Sequence, residues 1–532
     1  MSRVLVIGLD GADPELARRW MGEGALPHLG ALADRGAFLP LRSTMPPATF
    51  PAWTTCVTGV NPGRHGIFDF TEPVSGQHAL RFVNSTYRRV PALWNTLSEA
   101  GARVAVVGVP ATYPPEAVNG LMVSGFDSPV ATAIDRSFVH PHELYPEVAG
   151  WRFADFQESR IGPGWHGTAR ARLLAKIAEK EAILLRLLRR EPWDFFMAVF
   201  GESDTVSHHF WMFHDPASPR FREDSRFADT IKEVYMRLDE AVGKLVDAAG
   251  PDTLVLVVSD HGFTGAGDGV VHLNNRLAEL GLLRFASGGK RGSLLKRAAL
   301  AVVPERRRGA LFRRFRTLAA GAEGRSRFGG IDWAKTRAWS EELGYFPSVR
   351  VNLAGRDPQG TLAPEAYDAF VAECCAQLEA WPHVEKAMPR TALYNGPHTD
   401  RAPDIILSLA APDGYPPSCV RARGGPSFRR LDPAGYAGGK ERGMNGVHRD
   451  PGLLLCSRPV AAAAPSLLDI APTVFAALGV PGPPMEGVSL LGAPPAMEQG
   501  PEDGDGSREP EPYGAAEAAV LEARLRALGY LE

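Results

Sequence analysis

The chain has 532 residues, 45% hydrophobic and 22% charged, enough to bury a large core and ordinary for a soluble globular protein. Its 58 Lys and Arg nearly balance 61 Asp and Glu, and a net charge of −3 argues against indiscriminate nucleic-acid binding by the whole molecule. Five cysteines, an odd number with Cys374 and Cys375 adjacent and no C-x-x-C spacing, argue against a disulfide framework or a thiolate zinc site. The N-terminus reads directly as a strand, without a charged leader and cleavage site, and no run of 18 apolar residues occurs. A cytoplasmic protein with no transmembrane segment is the expectation.

Short, β-branched apolar runs alternate with helical patterns, which predicts an α/β fold with a mainly parallel central sheet flanked by helices on both faces. In chain order the strands are Val4–Leu9, Val104–Val109, Phe195–Phe200, Leu254–Ser259, Asp404–Leu409 and Gly452–Cys456. Helices are predicted at Pro14–Glu23, Ala92–Ala100, Arg170–Arg190, Phe227–Ala249 and Pro465–Leu478, the last with a start signal at Ser466 and a stop at Gly479. Between Arg284 and Arg327 there are thirteen Lys/Arg against two Glu, which marks a basic insertion. A solvated face is one reading of it; a contact with an anionic substrate or membrane surface is the other. The predicted organisation is a catalytic core over 1–275 and 336–495, interrupted by a basic cap at 276–335. A flexible Pro/Gly/Glu/Asp-rich linker at 496–514 and a C-terminal helix at 515–532 follow.

Five stretches carry chemistry. VLVIGLDG ends a buried strand in Asp10, where open α/β sheets place ligands. PPATFPAWTTCVTGV offers Thr49 near a helix start, where free backbone N–H groups favour a phosphate; a plain N-cap is the competing reading. FFMAVFGESDTVSHHFW sets Asp204 four residues before His208, so a helical turn aims both at one point, with His209 directed elsewhere. LVLVVSDHGF ends another strand in Asp260 and His261 before a turn-permitting glycine. MNGVHRDPG supplies His448 ahead of a further strand. Three carboxylates and three imidazoles, mostly at strand ends, make two metal sites of three ligands each with open positions for substrate.

Together with the GPHTDRAPDI segment and SLLDIAPTVFAALGVP, these stretches resemble the alkaline phosphatase superfamily, on its type I phosphodiesterase/nucleotide pyrophosphatase branch. Within that branch the chain is most similar to a predicted phosphohydrolase/phosphomutase group. The resemblance runs from Arg3 to Leu491 and implies an alkaline-phosphatase-like fold with a cap insertion. It also implies a division of ligands: Asp204, His208 and His448 to one divalent metal, and Asp10, Asp260 and His261 to the other, with Thr49 contacting the second as nucleophile. The mixed nitrogen and oxygen donors suit two Zn2+ ions and accommodate Mn2+. One departure stands out: the Thr-Phe-Pro-Asn of nucleotide pyrophosphatases ends here in Ala52, which weighs against nucleotide diesters. The C/S-x-P-x-R signature of sulfatases is not found at the nucleophile.

The expected activity is hydrolysis of a small phosphate ester, mono- or diester, through a phospho-threonine. A phosphomutase using the same intermediate is the second reading, and a catalytically silent metal-binding protein the third. Asn352 and Arg356 are candidates for a substrate anion, since Arg suits bidentate phosphate contacts, with a structural role in a loop as the equal alternative. His398, with Asp400 and Asp404, lines a substrate pocket or stabilises a turn. His65 is expected to orient the nucleophile loop, and His272 to lie at a surface or turn.

Overall fold

The computed structural model describes residues 3–125, 134–151, 161–162, 164–286, 328, 330–342, 347–432 and 444–492. The basic run from 287 to 327, the linker and the C-terminal helix expected from the sequence lie outside the described residues.

The strands of the main sheet are β1 (Val4–Leu9), β2 (Ala37–Leu41), β3 (Val104–Val107), β4 (Gly120–Val123), β5 (Val139–His140), β6 (Phe195–Phe200) and β7 (Leu254–Val258), with a late arrival from Gly452–Cys456. A short ribbon of β8 (Gly262–Gly265) and β9 (Gly446–Arg449) precedes that last strand, which is therefore β10. The eight strands lie in the order β2-β10-β7-β1-β6-β3-β4-β5. Five central neighbours, β7 to β4, pair in parallel, while β10, β2 and β5 pair antiparallel at the two ends. The expected fold class is thus the observed one.

Every residue of β1, β6 and β7 is buried, because both faces of the sheet are covered. Alternation along each strand sorts the core into two halves. Leu5, Ile7, Phe196, Ala198, Val255 and Val257 face one apolar cluster, and Val4, Val6, Phe195, Met197, Leu254 and Leu256 face the other. The first half is closed by α1 (Pro14–Gly22) and, further along, by α3 (Trp165–Arg190), α4 (Glu202–His214) and α5 (Thr230–Ala249). The second is closed by α2 (Thr49–Thr58) and by α6 (Ile470–Leu478), which ends as expected at Gly479 in the left-handed conformation.

A second lobe surrounds a four-stranded antiparallel sheet of Ala338–Trp339, Ser348–Val351, Ile405–Leu409 and Val384–Pro389. Its core draws on Val271, Leu277, Leu283, Trp333, Val349 and Leu407, so packing runs straight across the expected boundary between 335 and 336. The strand predicted at Asp404–Leu409 forms, but in this lobe and not in the main sheet. Among the described residues no helix is long and apolar enough to cross a membrane.

Candidate metal centre

Adjacency in the sheet assembles the site. β7, β1 and β6 are neighbours, and the chain leaving their carboxyl ends carries Asp260, Asp10 and Asp204. Gly11, at φ +64°, makes the turn after β1; a Cβ there would lie 2.7 Å from the Phe263 ring and 3.0 Å from the Asp204 backbone. On α4, Asp204 and His208 share a face one turn apart. The β8–β9 ribbon pairs Phe263 with His448 and so carries that imidazole to the same place as His261.

The six side chains fall into two groups of three. Within each trio, one ligand atom per residue lies within 4.8 Å of the others. In the first, Asp204 Oδ1 is 3.3 Å from His208 Nε2 and 3.2 Å from His448 Nε2, and the two nitrogens are 3.0 Å apart. In the second, His261 Nε2 is 3.6 Å from Asp10 Oδ1 and 3.4 Å from Asp260 Oδ2. The rings of His261 and His448 stack at 3.6 Å, so the trios share a wall.

Hydrogen bonding fixes which atoms are left for a cation. The Nδ1 atoms of His208, His448 and His261 donate to the carbonyls of Gly446, Pro47 and Gly262, at 2.8, 3.0 and 3.2 Å. Each carbonyl can only accept, so each Nδ1 carries the proton and each Nε2 turns its lone pair towards its trio. Burial, with help from neighbouring imidazoles, pushes the His261 and His448 pKa values down and keeps them neutral. Burial, reinforced by Asp204 and for Asp10 also by Asp260, pushes both carboxyl pKa values up. Asp10 Oδ1, Asp260 Oδ2, Asp204 Oδ1 and His261 Nε2 are buried with no hydrogen-bond partner of acceptable geometry. Lone pairs converging in a dry pocket repel one another until positive charge lies between them, so the donor set fits a pair of divalent cations.

Thr49 is the first residue of α2, with Ala48 in the capping position, so it is not the N-cap. The chain on both sides of it is tied to the trios: Pro47 accepts from His448, and Trp53, one turn later, donates from Nε1 to Asp10 Oδ2 at 3.0 Å. Ala52 is wholly buried in the apolar cluster beneath α6, so the residue that departs from the family pattern suits its packing.

The chain matches type I phosphodiesterase / nucleotide pyrophosphatase over residues 4–419. It belongs to that family. The family is one of metal-dependent phosphoric ester hydrolases. A fission-yeast protein, the uncharacterized pyrophosphatase/phosphodiesterase C725.05c of Schizosaccharomyces pombe, is 41% identical over 87 residues, which is 16% of this chain and 16% of that relative's length. Phosphonoacetate hydrolase from Sinorhizobium meliloti, solved with phosphonoacetate, superposes with a TM-score of 0.52 at 18% identity, covering 90% of this chain and 95% of that one. That likeness is one of fold. Human ectonucleotide pyrophosphatase/phosphodiesterase 5 gives a TM-score of 0.49 at 12% identity, covering 91% and 97%.

The three substrate candidates are placed differently from the six candidate ligands. Asn352 is fully buried, its amide nitrogen 2.8–3.1 Å from the carbonyls of Trp333, Thr336 and Gln359, so it staples the second lobe. Arg356 is spent on buried Asp404, with its two terminal nitrogens 2.8 and 2.9 Å from the two carboxylate oxygens, and its Nε bonds Asp357. Both side chains thus bond within the second lobe, as the structural one of their two readings has it. His398 donates its backbone N–H to the Gly63 carbonyl at 2.9 Å, a bond that ties the second lobe to the turn after α2.

The remaining histidines have structural places. His65 is buried, accepts at Nδ1 from the Ile67 N–H and donates from Nε2 to Thr55 on α2; burial, with Arg88 and His398 nearby, holds its pKa down at about 3. His272, expected at a surface or turn, is instead buried, with Nδ1 donating to the Val420 carbonyl. His209 meets Trp165 edge-on, away from the trios.

Two features escaped the sequence reading. Trp53 holds Asp10, and Lys180 on α3 pairs with Glu202 at 2.7 Å, with side chains 6% and 1% exposed, at the start of the helix that carries Asp204. The second is an ion pair whose angles fall short of a hydrogen bond. Each joins residues more than 20 positions apart, and neither partner sits in a recognisable local pattern.

Proposed function

We propose that this protein hydrolyses small phosphate esters through a phospho-threonine on Thr49, with two divalent metal ions held by Asp204, His208 and His448 and by Asp10, Asp260 and His261. The observation that carries the reading is the convergence of six buried ligand atoms, four of them without a hydrogen-bond partner, from strand ends and a ribbon far apart in sequence. Zinc suits the mixed nitrogen and oxygen donors best, with manganese the second choice.

When bound, the two cations lower the pKa of a hydroxyl and neutralise charge developing on phosphoryl and leaving-group oxygens. The Thr49 Oγ attacks phosphorus, its proton passes to solvent, and the ester oxygen leaves with its electron pair. Water then cleaves the bond between phosphorus and Oγ, which restores threonine and releases the phosphate product. The three histidines stay oriented through their Nδ1–H bonds, and the buried strand ends keep bulk water from competing for the ligand atoms.

Metal analysis coupled to a screen of mono- and diesters tests the reading. Two equivalents of metal and turnover of at least one ester class are expected. Thr49→Ala should keep its metal and lose at least ~100-fold in turnover. Unchanged turnover with intact metal removes Thr49 from the mechanism. Phosphosugars in the same screen distinguish a mutase, which isomerises them without releasing phosphate.

A further inference from the structure

We infer that Trp53 is a positioning residue for Asp10 and that Gly8 is the seat on which its indole rests; this rests on the two-metal reading above. Asp10 is 2% exposed and Trp53 fully buried, and the indole Nε1 donates to Asp10 Oδ2 at 3.0 Å. The other oxygen, Oδ1, faces His261 Nε2 at 3.6 Å and has no hydrogen-bond partner. The indole therefore fixes the rotation of the carboxylate and presents one oxygen to the second trio. Asp260 is treated in the same way: Oδ1 accepts from the Gly11 N–H at 3.1 Å and Oδ2 is left facing the trio. In each case one N–H settles which oxygen is available.

The seat is an independent observation. A Cβ on Gly8 would lie 2.6 Å from Trp53 Cη2, 2.7 Å from Val199 Cγ2 and 3.2 Å from Trp53 Cζ2, so the indole, beside Val199, lies directly on the β1 backbone two residues before the carboxylate it holds. No larger residue fits there without shifting the ring and Val199. Trp53 also follows Thr49 by one turn of α2, so one side chain sets the spacing between the nucleophile's helix and the ligand strand.

Titrating metal-free protein with Zn2+ by calorimetry tests this. The wild type is expected to show two sites. Trp53→Phe, which keeps an aromatic ring and deletes the donor, should weaken one site by roughly 10- to 100-fold and leave the other unchanged. Gly8→Ala, which displaces the indole, should weaken the same site, and the Gly8→Ala/Trp53→Phe pair should lose less than the sum of the two. Should either variant fold poorly, benzothienylalanine at position 53 keeps the shape of tryptophan and removes only the N–H, and the same selective loss is expected. Two sites of wild-type affinity in that protein, or equal weakening of both, would overturn the inference while leaving the two-metal reading intact. A wild type that binds fewer than two ions would instead remove the reading itself.

Discussion

Asp260→Asn should stabilise the metal-free protein and destabilise the metal-loaded one. The ligand oxygens of Asp10 and Asp260 lie within 4.8 Å of each other, and both side chains are buried. Two unit charges at that spacing repel by roughly 3.5 kcal/mol at an effective dielectric of about 20. Asparagine removes one of them, keeps an oxygen for the Gly11 N–H, and can turn its amide towards His261 Nε2, 3.4 Å from the present Oδ2. Part of the repulsion is already relieved in the wild type, because both carboxyl pKa values are raised and a shared proton can do the same work. A net gain of about 2 kcal/mol is the expected remainder at pH 8. The sign with pH follows: a raised folded pKa means the fold binds more protons than the unfolded chain, so wild-type stability in chelator falls as pH rises. The advantage of the variant should therefore grow from pH 5 to pH 8. With Zn2+ present the order reverses, since the variant has lost an anionic ligand and the linked stabilisation. Melting temperatures with EDTA and with Zn2+, at both pH values, measure all four cases. A variant less stable than wild type in EDTA at pH 8 would refute the reasoning.

Other consequences can be checked more simply. Lys180→Met should cost about 3–5 kcal/mol in urea unfolding, because it strands buried Glu202, and adding Glu202→Gln should recover most of it; additive losses would deny the pairing. His65 stays neutral in the fold down to about pH 3, so each pH unit between 6.5 and that value removes about 1.4 kcal/mol of stability. His65→Gln should flatten this acid limb by one proton, read from the pH dependence of unfolding. Arg356→Met should lower stability by about 1.5–3 kcal/mol through its lost bonds to Asp404, with KM for any ester substrate unchanged; a raised KM would return Arg356 to the substrate site.

What could be read from the sequence was whatever is local. A strand that is apolar throughout and runs into an acid shows the sheet and a candidate ligand, so Asp10, Asp204 and Asp260 could be singled out from their own surroundings. His208 followed from its spacing to Asp204 along one helix. His448 has no such local support, and its value came only from joining the other five. Arg356 and Asn352 could be read two ways, because a loop Arg and Asn near turn residues have the composition of an anion site and of a structural loop alike. Their actual partners, Asp404 and the carbonyls of Trp333 and Thr336, lie on other segments and are set by the packing of the second lobe. The same distance hid Trp53 and the Lys180–Glu202 pair. An indole in an apolar stretch reads as core, and only the turn of α2 against β1 shows that its one polar atom has a use.

The order in which the ligands occur along the chain has a consequence for biosynthesis. Asp10, Asp260 and His261 all lie within residues 10–261, whereas the trio of Asp204 and His208 is completed only by His448, which comes just before the last strand of the main sheet. A nascent chain halted between these points holds every donor of one pocket and two of three for its neighbour. On the two-metal proposal, then, the side chains of one pocket precede those of the other along the chain, and the strand that carries His448 supplies the last of them.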